Sequence, residues 1–410
     1  MSVRTTRLPS AHTALSECLE TRQAARAVAA ELASQSKVRP DLLVVFGSFH
    51  HRALFSDALD LLRSELHPAH LLACTAEGVI AGTREIEGHA GFCAIALSLP
   101  GVVARPFSFS LTDGPPSVWS DGFVRERVSL PPDEGALPHR GILMLADPFA
   151  MHPGHACAAI EHAAGPQGAR IFGGVASGAS FAGLNVLAVD RKVAHEGLVG
   201  LSLFGDVEIG GVVSQGCRPV GPLFVVTKSR GPEILELGGR RALTVAQEMV
   251  ESLDDRDRDL LGAGLTIGIA IDAAKPRLGR GDFVIRPVMT VDAATGALMV
   301  SETIKPGTTI QFQVRDAATA HDDLALLVAA QQLHEPPAAA LLFSCNRRGS
   351  RLFGRPGHDP EFIAERLERP PLAGFQCAGE IGPLGGRSRV HTETASLALF
   401  RAPRRGPSIG

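Results

Sequence analysis

The residues best placed to do chemistry lie in short glycine-bearing turns that follow apolar runs. The stretch Gly379-Glu380-Ile381-Gly382-Pro383 sets a carboxylate between glycines. Glycine lets the backbone turn sharply and lets a ligand approach peptide N–H groups closely. Glu380 can therefore receive a ligand ammonium group; the alternative is a tight turn whose glutamate caps a helix or pairs with an arginine. Glu77, in Cys74-Thr75-Ala76-Glu77-Gly78, stands in a turn of the same kind and carries the same two readings. Arg348 follows a strand end at Cys345 and precedes Gly349. A guanidinium there can clamp a ligand carboxylate through two parallel hydrogen bonds, or form a structural ion pair. Arg347 reads as a surface residue. Arg315 precedes Asp316 and reads as half of an internal salt bridge at a helix start, and Arg286 lies in a strand pattern where it can pair across a sheet. Three arginines and a glutamate suit a zwitterionic ligand.

Cys74, Cys217, Cys345 and Cys377 all fall at strand ends or turns. A nucleophilic thiol needs a base and an orienting group beside it, and His391 and Glu380 are the available candidates. The commoner role of such a residue is that of a small buried apolar side chain. His152, His155 and His162 form no metal set. Pro153 and Gly154 spoil a shared helical face, and His155 and His162 are two helical turns apart. The glycine-rich Gly173-Gly174-Val175-Ala176-Ser177-Gly178 matches neither common phosphate-loop spacing.

The elements that must position these residues recur three times. Each copy opens on a short apolar strand: Leu42 to Ser48, Ile142 to Asp147, and Ala340 to Cys345. Roughly thirty-odd residues later, after helical sequence, comes the small turn, and each copy closes on another strand, a period that argues for strand–helix–strand units. On this alignment Cys74 matches Cys377 and Glu77 matches Glu380, while the middle copy carries neither. Residues 21–34 and 53–66 have helical periodicity. Residues 113–116 and 131–135 read as loops between the first two copies. After the second copy the pattern shifts to strands around residues 207–213, 223–227, 264–271, 282–288 and 297–300, with a hairpin turn over 292–296. The charged run 254–259 reads as a solvated loop or helix end. A long helix is expected over 317–333, and Asp359-Pro360 reads as an N-cap followed by proline at the first helical position.

The chain has 410 residues, 45% hydrophobic and 20% charged, with a formal net charge of −3. That describes a globular protein with two domains. It offers no long-range attraction to nucleic acid or anionic lipid. No tyrosine and only one tryptophan, Trp119, leave few surfaces on which bases could stack. There is no apolar run long enough for a membrane span, and the first residues lack the apolar core of a signal peptide. Seven cysteines, an odd number with no C-x-x-C pair, point to reduced thiols in a cytoplasmic setting.

With these segments in view the sequence resembles the FIST family (F-box and intracellular signal transduction), in both its N-terminal and its C-terminal domain. The N-terminal likeness rests on Asp41-Leu42-Leu43-Val44-Val45-Phe46, Cys74-Thr75-Ala76-Glu77-Gly78-Val79-Ile80, Gly173-Gly174-Val175-Ala176-Ser177 and Val213-Ser214-Gln215-Gly216-Cys217-Arg218-Pro219-Val220-Gly221. The C-terminal likeness rests on Gly281-Asp282-Phe283-Val284-Ile285-Arg286, Arg315-Asp316-Ala317, Phe343-Ser344-Cys345-Asn346-Arg347-Arg348-Gly349 and Gly374-Phe375-Gln376-Cys377-Ala378-Gly379-Glu380-Ile381-Gly382-Pro383. It covers roughly residues 21–400, and the order and spacing of the motifs carry it together. The resemblance implies a sensory module for small molecules, with amino acids or their derivatives suggested as ligands. In the family this module often sits beside an output domain; none is recognisable here, so a separate signalling output protein is the partner it implies.

The expectation is a mixed α/β fold of repeated strand–helix–strand units in two sheet-containing domains. A lead-in covers residues 1–20, an N-terminal domain 21–206, a C-terminal domain 207–400 and a flexible tail 401–410. The expected function is that of a bacterial, cytoplasmic sensory protein that binds an amino acid or similar small polar metabolite. The candidate ligand-binding set is Arg348, Glu380, Cys377, Cys345, Glu77, Arg315, Arg286 and Gln215. No catalytic residue, cofactor or metal is assigned, and neither nucleic acid nor membrane is an expected partner. The competing readings are a thiol-dependent enzyme using Cys345 or Cys377, and a protein-recruiting scaffold.

Overall fold

The computed structural model describes residues 8–130, 137–165 and 168–403. The loop expected over 131–135 lies outside the described residues, as does most of the expected tail; Arg401 is the last residue of a strand. The chain is mixed α/β and divides into two compact units. Among the described residues, the larger runs from residue 8 to Val213, resumes at Leu326–Val390 and ends with residues 395–403. The smaller is Ser214–Ala325 with His391–Thr394. No helix among the described residues is long and apolar enough to cross a membrane.

The larger unit is built from three copies of one plan. The first copy runs β1 (Ser10–Ser16), α1 (Thr21–Gln35), β2 (Leu42–Ser48), α2 (Phe55–Leu66), β3 (His70–Ala76), the hairpin β4 (Val79–Ala81) and β5 (Arg84–Ile86), then β6 (Phe92–Ser98). The second repeats this as β7 (Val102–Phe109), α3 (Asp121–Arg127), β8 (His139–Ala146), α4 (Pro153–Ala163), β9 (Ile171–Val175), the hairpin β10 (Leu187–Val189) and β11 (Lys192–Ala194), then β12 (Leu198–Gly205). The third opens with β13 (Glu208–Gln215). Before it continues, the chain makes the smaller unit: β14 (Cys217–Arg230), β15 (Glu233–Leu237), β16 (Arg240–Arg241), α5 (Ala242–Ser252), α6 (Asp255–Leu260), β17 (Thr266–Ala270), β18 (Phe283–Asp292), β19 (Ala297–Val300) and β20 (Thr309–Arg315). The third copy then resumes through α7 (Ala317–Gln331), β21 (Ala339–Cys345), α8 (Ser350–Phe353), α9 (His358–Arg366), β22 (Leu372–Cys377), the hairpin β23 (Glu380–Leu384) and β24 (Arg387–His391), and β25 (Thr394–Arg401). The lead-in expected over residues 1–20 thus holds β1, an edge strand whose alternating Ala11, Thr13 and Leu15 were too weak a signal to read.

The middle strands β2 and β21 are buried at every residue, as expected for strands covered on both faces. Each middle strand pairs in parallel with the next, β2 with β3, β8 with β9 and β21 with β22. A parallel pair needs a crossover, which explains the helical sequence inside each copy. Each hairpin leaves its own copy. Hairpin β4–β5 pairs with β22, β10–β11 with β3, and β23–β24 with β9. The resulting sheets run β1-β6-β2-β3-β10-β11, β24-β23-β9-β8-β12-β7 and β13-β25-β21-β22-β4-β5. The first copy completes the third, the second completes the first, and the third completes the second. Leu42, Val44, Phe46, Phe172, Leu341, Phe343 and Phe375 belong to one buried apolar cluster shared by all three copies.

This register corrects the alignment read from the sequence. The N–H of Thr75 donates to the Val186 carbonyl, that of Val175 to Gly379, and that of Gln376 to Gly78. Thr75, Val175 and Gln376 are therefore equivalent. Glu77 corresponds to Ser177 and Ala378, while Glu380 corresponds to Val79 and Leu187. Cys74 corresponds to Phe375, and Cys377 to Ala76. The shared spacing of Cys and Glu in two copies is a coincidence displaced by two residues. Equivalence in this fold is set by hydrogen-bond register, which sequence similarity between short turns does not report.

In the smaller unit the strands run β14-β20-β17-β18-β19-β15-β16, and β14 also pairs with β15, closing an antiparallel barrel. Val226, Ile234, Ile267, Leu298, Ile310 and Phe312 fill it, with Val245 and Met249 of α5 packed in the same cluster. The hairpin turn expected over 292–296 joins β18 to β19. The charged run 254–259 is α6 with Asp254 as its N-cap, the carboxylate accepting from the Asp257 N–H at 2.8 Å.

Gly374 tests how tightly the parallel pairs are packed. A Cβ at this position would stand 1.9 Å from the Leu342 carbonyl oxygen, a backbone atom that cannot swing aside. The equivalent residue of the first copy is Ala73, so the demand comes from the local geometry of β21 and β22. Gly374→Ala is expected to destabilise the protein by about 1–3 kcal/mol or more. A melting temperature equal to wild type would show that this strand pair can separate without cost.

Candidate functional site

In sheets with parallel strands, ligands commonly bind beyond the carboxyl ends of those strands. Here the paired strand ends are Ser48 with Ala76 in the first copy and Cys345 with Cys377 in the third; Ala146 with Val175 ends the second. The turns that follow are Glu77-Gly78, Ser177-Gly178 and Ala378-Gly379. They meet. The Ser177 hydroxyl accepts from the Glu77 N–H at 2.8 Å and donates to the Gln376 carbonyl in a short hydrogen bond. One side chain of the second copy thus ties the first copy to the third.

Polar side chains gather where the first copy's hairpin meets the third copy's strand end. Glu77 accepts from Asn346 Nδ2 at 2.8 Å through one carboxylate oxygen, and from Arg351 Nη2 at 2.7 Å through the other. Arg351 also donates to the Asn346 carbonyl at 2.8 Å. The Glu77 side chain is 30% exposed and that of Arg351 55%, so solvent and solutes reach this pair. Glu85, buried on β5, accepts from the Gly357 N–H at 2.8 Å and from Gln376 Nε2 at 3.2 Å. Glu87 accepts from the Ser350 N–H at 2.9 Å. Burial pushes the Glu85 carboxyl up to about 7, helped by the nearby charges of Asp359 and Glu87. The other copies act as internal controls. Ser177 and Ala378 stand in for Glu77, and Thr75 and Val175 for Gln376, so the repeated fold does not itself require these groups.

Behind this rim lies a buried charge pair. Arg348 Nε and Nη2 donate to the two oxygens of Asp359 at 2.7 and 3.0 Å, with the arginine side chain wholly buried. The expected N-cap role of Asp359 is corrected: Gly357 is the N-cap of α9, and the Asp359 carboxylate turns inward to the guanidinium. Burial alone would raise this carboxyl. Attraction to Arg348 and hydrogen bonds from His358 and Arg348 outweigh burial and hold it well below the usual carboxylate range. The Phe353 ring lies 5.3 Å from the Arg348 guanidinium carbon. Glu380 is also fully buried, where Val79 and Leu187 sit in the other copies, and its charge is felt at both Arg348 and Cys377.

Cys345 and Cys377 are direct cross-strand partners, both buried. Burial, and then the charge of Glu380, raise the Cys377 thiol well above its ordinary value. The same desolvation raises Cys74. Each is thus kept as a neutral thiol at physiological pH, which disfavours nucleophilic use. None of the seven cysteines is in a disulfide.

The remaining predicted residues belong to the smaller unit. Gln215 donates from Nε2 to the Phe283 carbonyl at 2.7 Å, and its N–H donates to Asp323 at 2.7 Å. Arg286 donates to Glu302 at 2.7 Å. Arg315 does not pair with its neighbour: it lies 3.4 Å from Glu393, while Asp316 receives Arg218 at 3.0 Å and the Ala318 N–H at the start of α7. Adjacent residues on an extended strand point to opposite faces, which separates Arg315 from Asp316. The structure therefore brings together Glu77, Cys345, Arg348, Cys377 and Glu380 in one unit, and Gln215, Arg286 and Arg315 in the other. Asn346, Arg351, Gln376, Ser177, Glu85, Glu87 and Asp359 were not among the sequence candidates. The one available signal was the spacing of Gly349, Gly354 and Gly357 around an arginine-rich segment.

Three substitutions test this electrostatic arrangement. Glu85 has a folded pKa raised above its ordinary 4.5 to about 7. Between those values the unfolded chain has released a proton that the folded chain retains, so stability falls as pH rises through that window. Glu85→Gln is expected to raise the melting temperature at pH 8 and to lose that advantage near pH 4.5; a pH-independent effect would refute the assignment. Arg348→Ala leaves Asp359 buried without its partner and should cost about 3–5 kcal/mol. Adding Asp359→Asn should recover part of that loss in chemical denaturation, and strictly additive losses would show that the pair is not coupled.

Comparison with known proteins places this arrangement in a family. The FIST N domain matches residues 41–240 and the FIST C domain residues 242–383. An uncharacterized protein of Mycobacterium tuberculosis strain H37Rv is 39% identical over 384 residues, covering 92% of this chain and 96% of its own. An uncharacterized protein of Mycobacterium bovis is 39% identical over 385 residues with the same coverage. Among solved structures, cyanuric acid hydrolase from A. caulinodans aligns over 97% of this chain and 100% of its own, at 10% identity and a TM-score of 0.39, a likeness too slight to support an inference. The chain belongs to the FIST family, whose domains form a sensory module for small ligands.

Proposed function

We propose that this protein is a cytoplasmic sensor of an α-amino acid or a closely related zwitterion, and that Glu77 and Arg351 are the groups that receive it. The observation that carries this reading is the half-exposed Glu77–Arg351 pair at the meeting of three turns. An exposed ion pair contributes little to stability, and the equivalent turns do without one. Its geometry is that of a receptor for opposite charges: Glu77 suits a ligand ammonium and Arg351 a carboxylate. Asn346 orients the carboxylate of Glu77, and the Arg348–Asp359 pair fixes the backbone from which Asn346 and Arg351 project. Seven cysteines without a disulfide among them support a reducing compartment. The signal would pass to a separate output protein.

The test is a thermal-shift panel of the standard α-amino acids, with N-acetylated and C-amidated derivatives as controls that each lack one charge. One amino acid or one chemical class of them is expected to raise the melting temperature, with both derivatives losing the effect. Glu77→Gln should weaken that ligand about tenfold or more, the scale of a lost charge-assisted hydrogen bond. A panel with no active amino acid, or activity retained by both blocked derivatives, would overturn the reading.

A further inference from the structure

Residues 346–357 leave the end of β21 and cross to α9, and their attachment is unusual. Every carboxylate that holds this segment to the hairpin side comes from the first copy. Glu77 receives Asn346 and Arg351, Glu87 receives the Ser350 N–H, and Glu85 receives the Gly357 N–H. The segment itself belongs to the third copy and carries Arg347, Arg348, Arg351 and Arg355. Its only regular element, α8, is four residues long, too short to persist without support. Gly349, Gly354 and Gly357 have φ values of 55°, 73° and 82°. Glycine adopts this left-handed region freely, so backbone pivots stand before α8, after it and at the start of α9. Arg351 and Arg355 are exposed, and Leu352 and Phe353 only half-buried. Polar ties rather than core packing hold the segment down, the mark of a region that opens at low free-energy cost.

We propose that residues 349–357 are a latch, closed by the three carboxylates and released by the ligand. This inference rests on the zwitterion reading of Glu77 and Arg351. The closed pair is 2.7 Å apart, with no room for a molecule between its members. A ligand that gives its ammonium to Glu77 and its carboxylate to Arg351 must separate them. Asn346 and Arg351 then lose their anchor together, and only the ties at Glu87 and Glu85 remain. The resident ion pair and the ligand compete for the same two charges. This competition provides the differential affinity for the open form without which no ligand can shift an equilibrium. Binding is thus converted into release of the segment that carries Arg351 and Arg355.

Hydrogen–deuterium exchange of the full-length protein, followed in peptides covering residues 346–357, tests the latch with and without ligand. Without any ligand, Glu77→Gln combined with Glu87→Gln should speed exchange in this segment about tenfold or more while β2 and β21 remain protected. Glu77→Gln alone, which weakens the ties to Asn346 and Arg351, serves as the milder variant should the double substitution fail to fold. Unchanged exchange in the folded variants would overturn the latch whatever the ligand does. With the amino-acid panel, faster exchange in the segment on binding is the expected result. An amino acid that binds and slows exchange would overturn the latch and leave the sensor standing. Variants that loosen the segment in a protein to which no amino acid binds would support a latch, refute its release by a zwitterion, and remove the proposed function.

Discussion

Each sheet of the larger unit is unfinished until another copy lends it a hairpin. A strand with an unpaired edge exposes a row of N–H and C=O groups that must find partners. Here β22 finds β4, β3 finds β10 and β9 finds β23, in a closed cycle. No copy can satisfy its sheet alone, so the three stand or fall together. The exchange also brings the three strand-end turns to one place. The Ser177 hydroxyl, held between the Glu77 N–H and the Gln376 carbonyl, is the point where all three copies touch.

A threefold plan supplies three equivalent junctions, and the one between the first and third copies sets three carboxylates against an arginine-bearing segment. Glu77, Glu85 and Glu87 come from one copy and Asn346, Arg348 and Arg351 from the other. The buried Arg348–Asp359 pair is an expensive feature to place in a core, because desolvating both ions opposes much of their attraction. Ser177, Val175 and Leu187 at the matching positions of the second copy show that a fold of this kind manages without Glu77, Gln376 or Glu380. Glu77 and Gln376 at the junction of the first and third copies therefore reflect a role that the repeat itself does not demand. The Arg348–Asp359 pair fixes the base of the segment that follows it, while the ties further along, at Glu77 and Glu87, lie at partly exposed groups that water or a solute can replace.

The smaller unit obeys a different logic. Its strands close a barrel through the extra pairing of β14 with β15, and its arginines are neutralised internally, Arg286 by Glu302 and Arg218 by Asp316. These are the partners that a strand-borne arginine acquires when a carboxylate projects from a neighbouring element. A list of conspicuous arginines and glutamates mixes such pairs with groups that face a ligand. Local sequence offers no way to sort them.

The sequence by itself determined the strand–helix–strand plan, its threefold recurrence and the mixed α/β class. Fully apolar runs such as Leu42 to Ser48, separated by helical periodicity, can be satisfied only by parallel strands with covered faces. It also pointed to the strand-end turns and to Glu77 and Arg348. It could not give the register. Glu77 and Glu380 lie in turns that look alike, yet hydrogen bonding places them two residues apart in the repeat, with Glu380 among buried apolar positions. It could not show that Asp359 faces Arg348 rather than capping α9, nor that Asn346 and Arg351 are the partners of Glu77 from more than two hundred and fifty residues away. Periodicity is a local property written into neighbouring residues. Pairing across exchanged hairpins is decided by which edges remain open once every local element has formed, and only the assembled tertiary structure makes that choice.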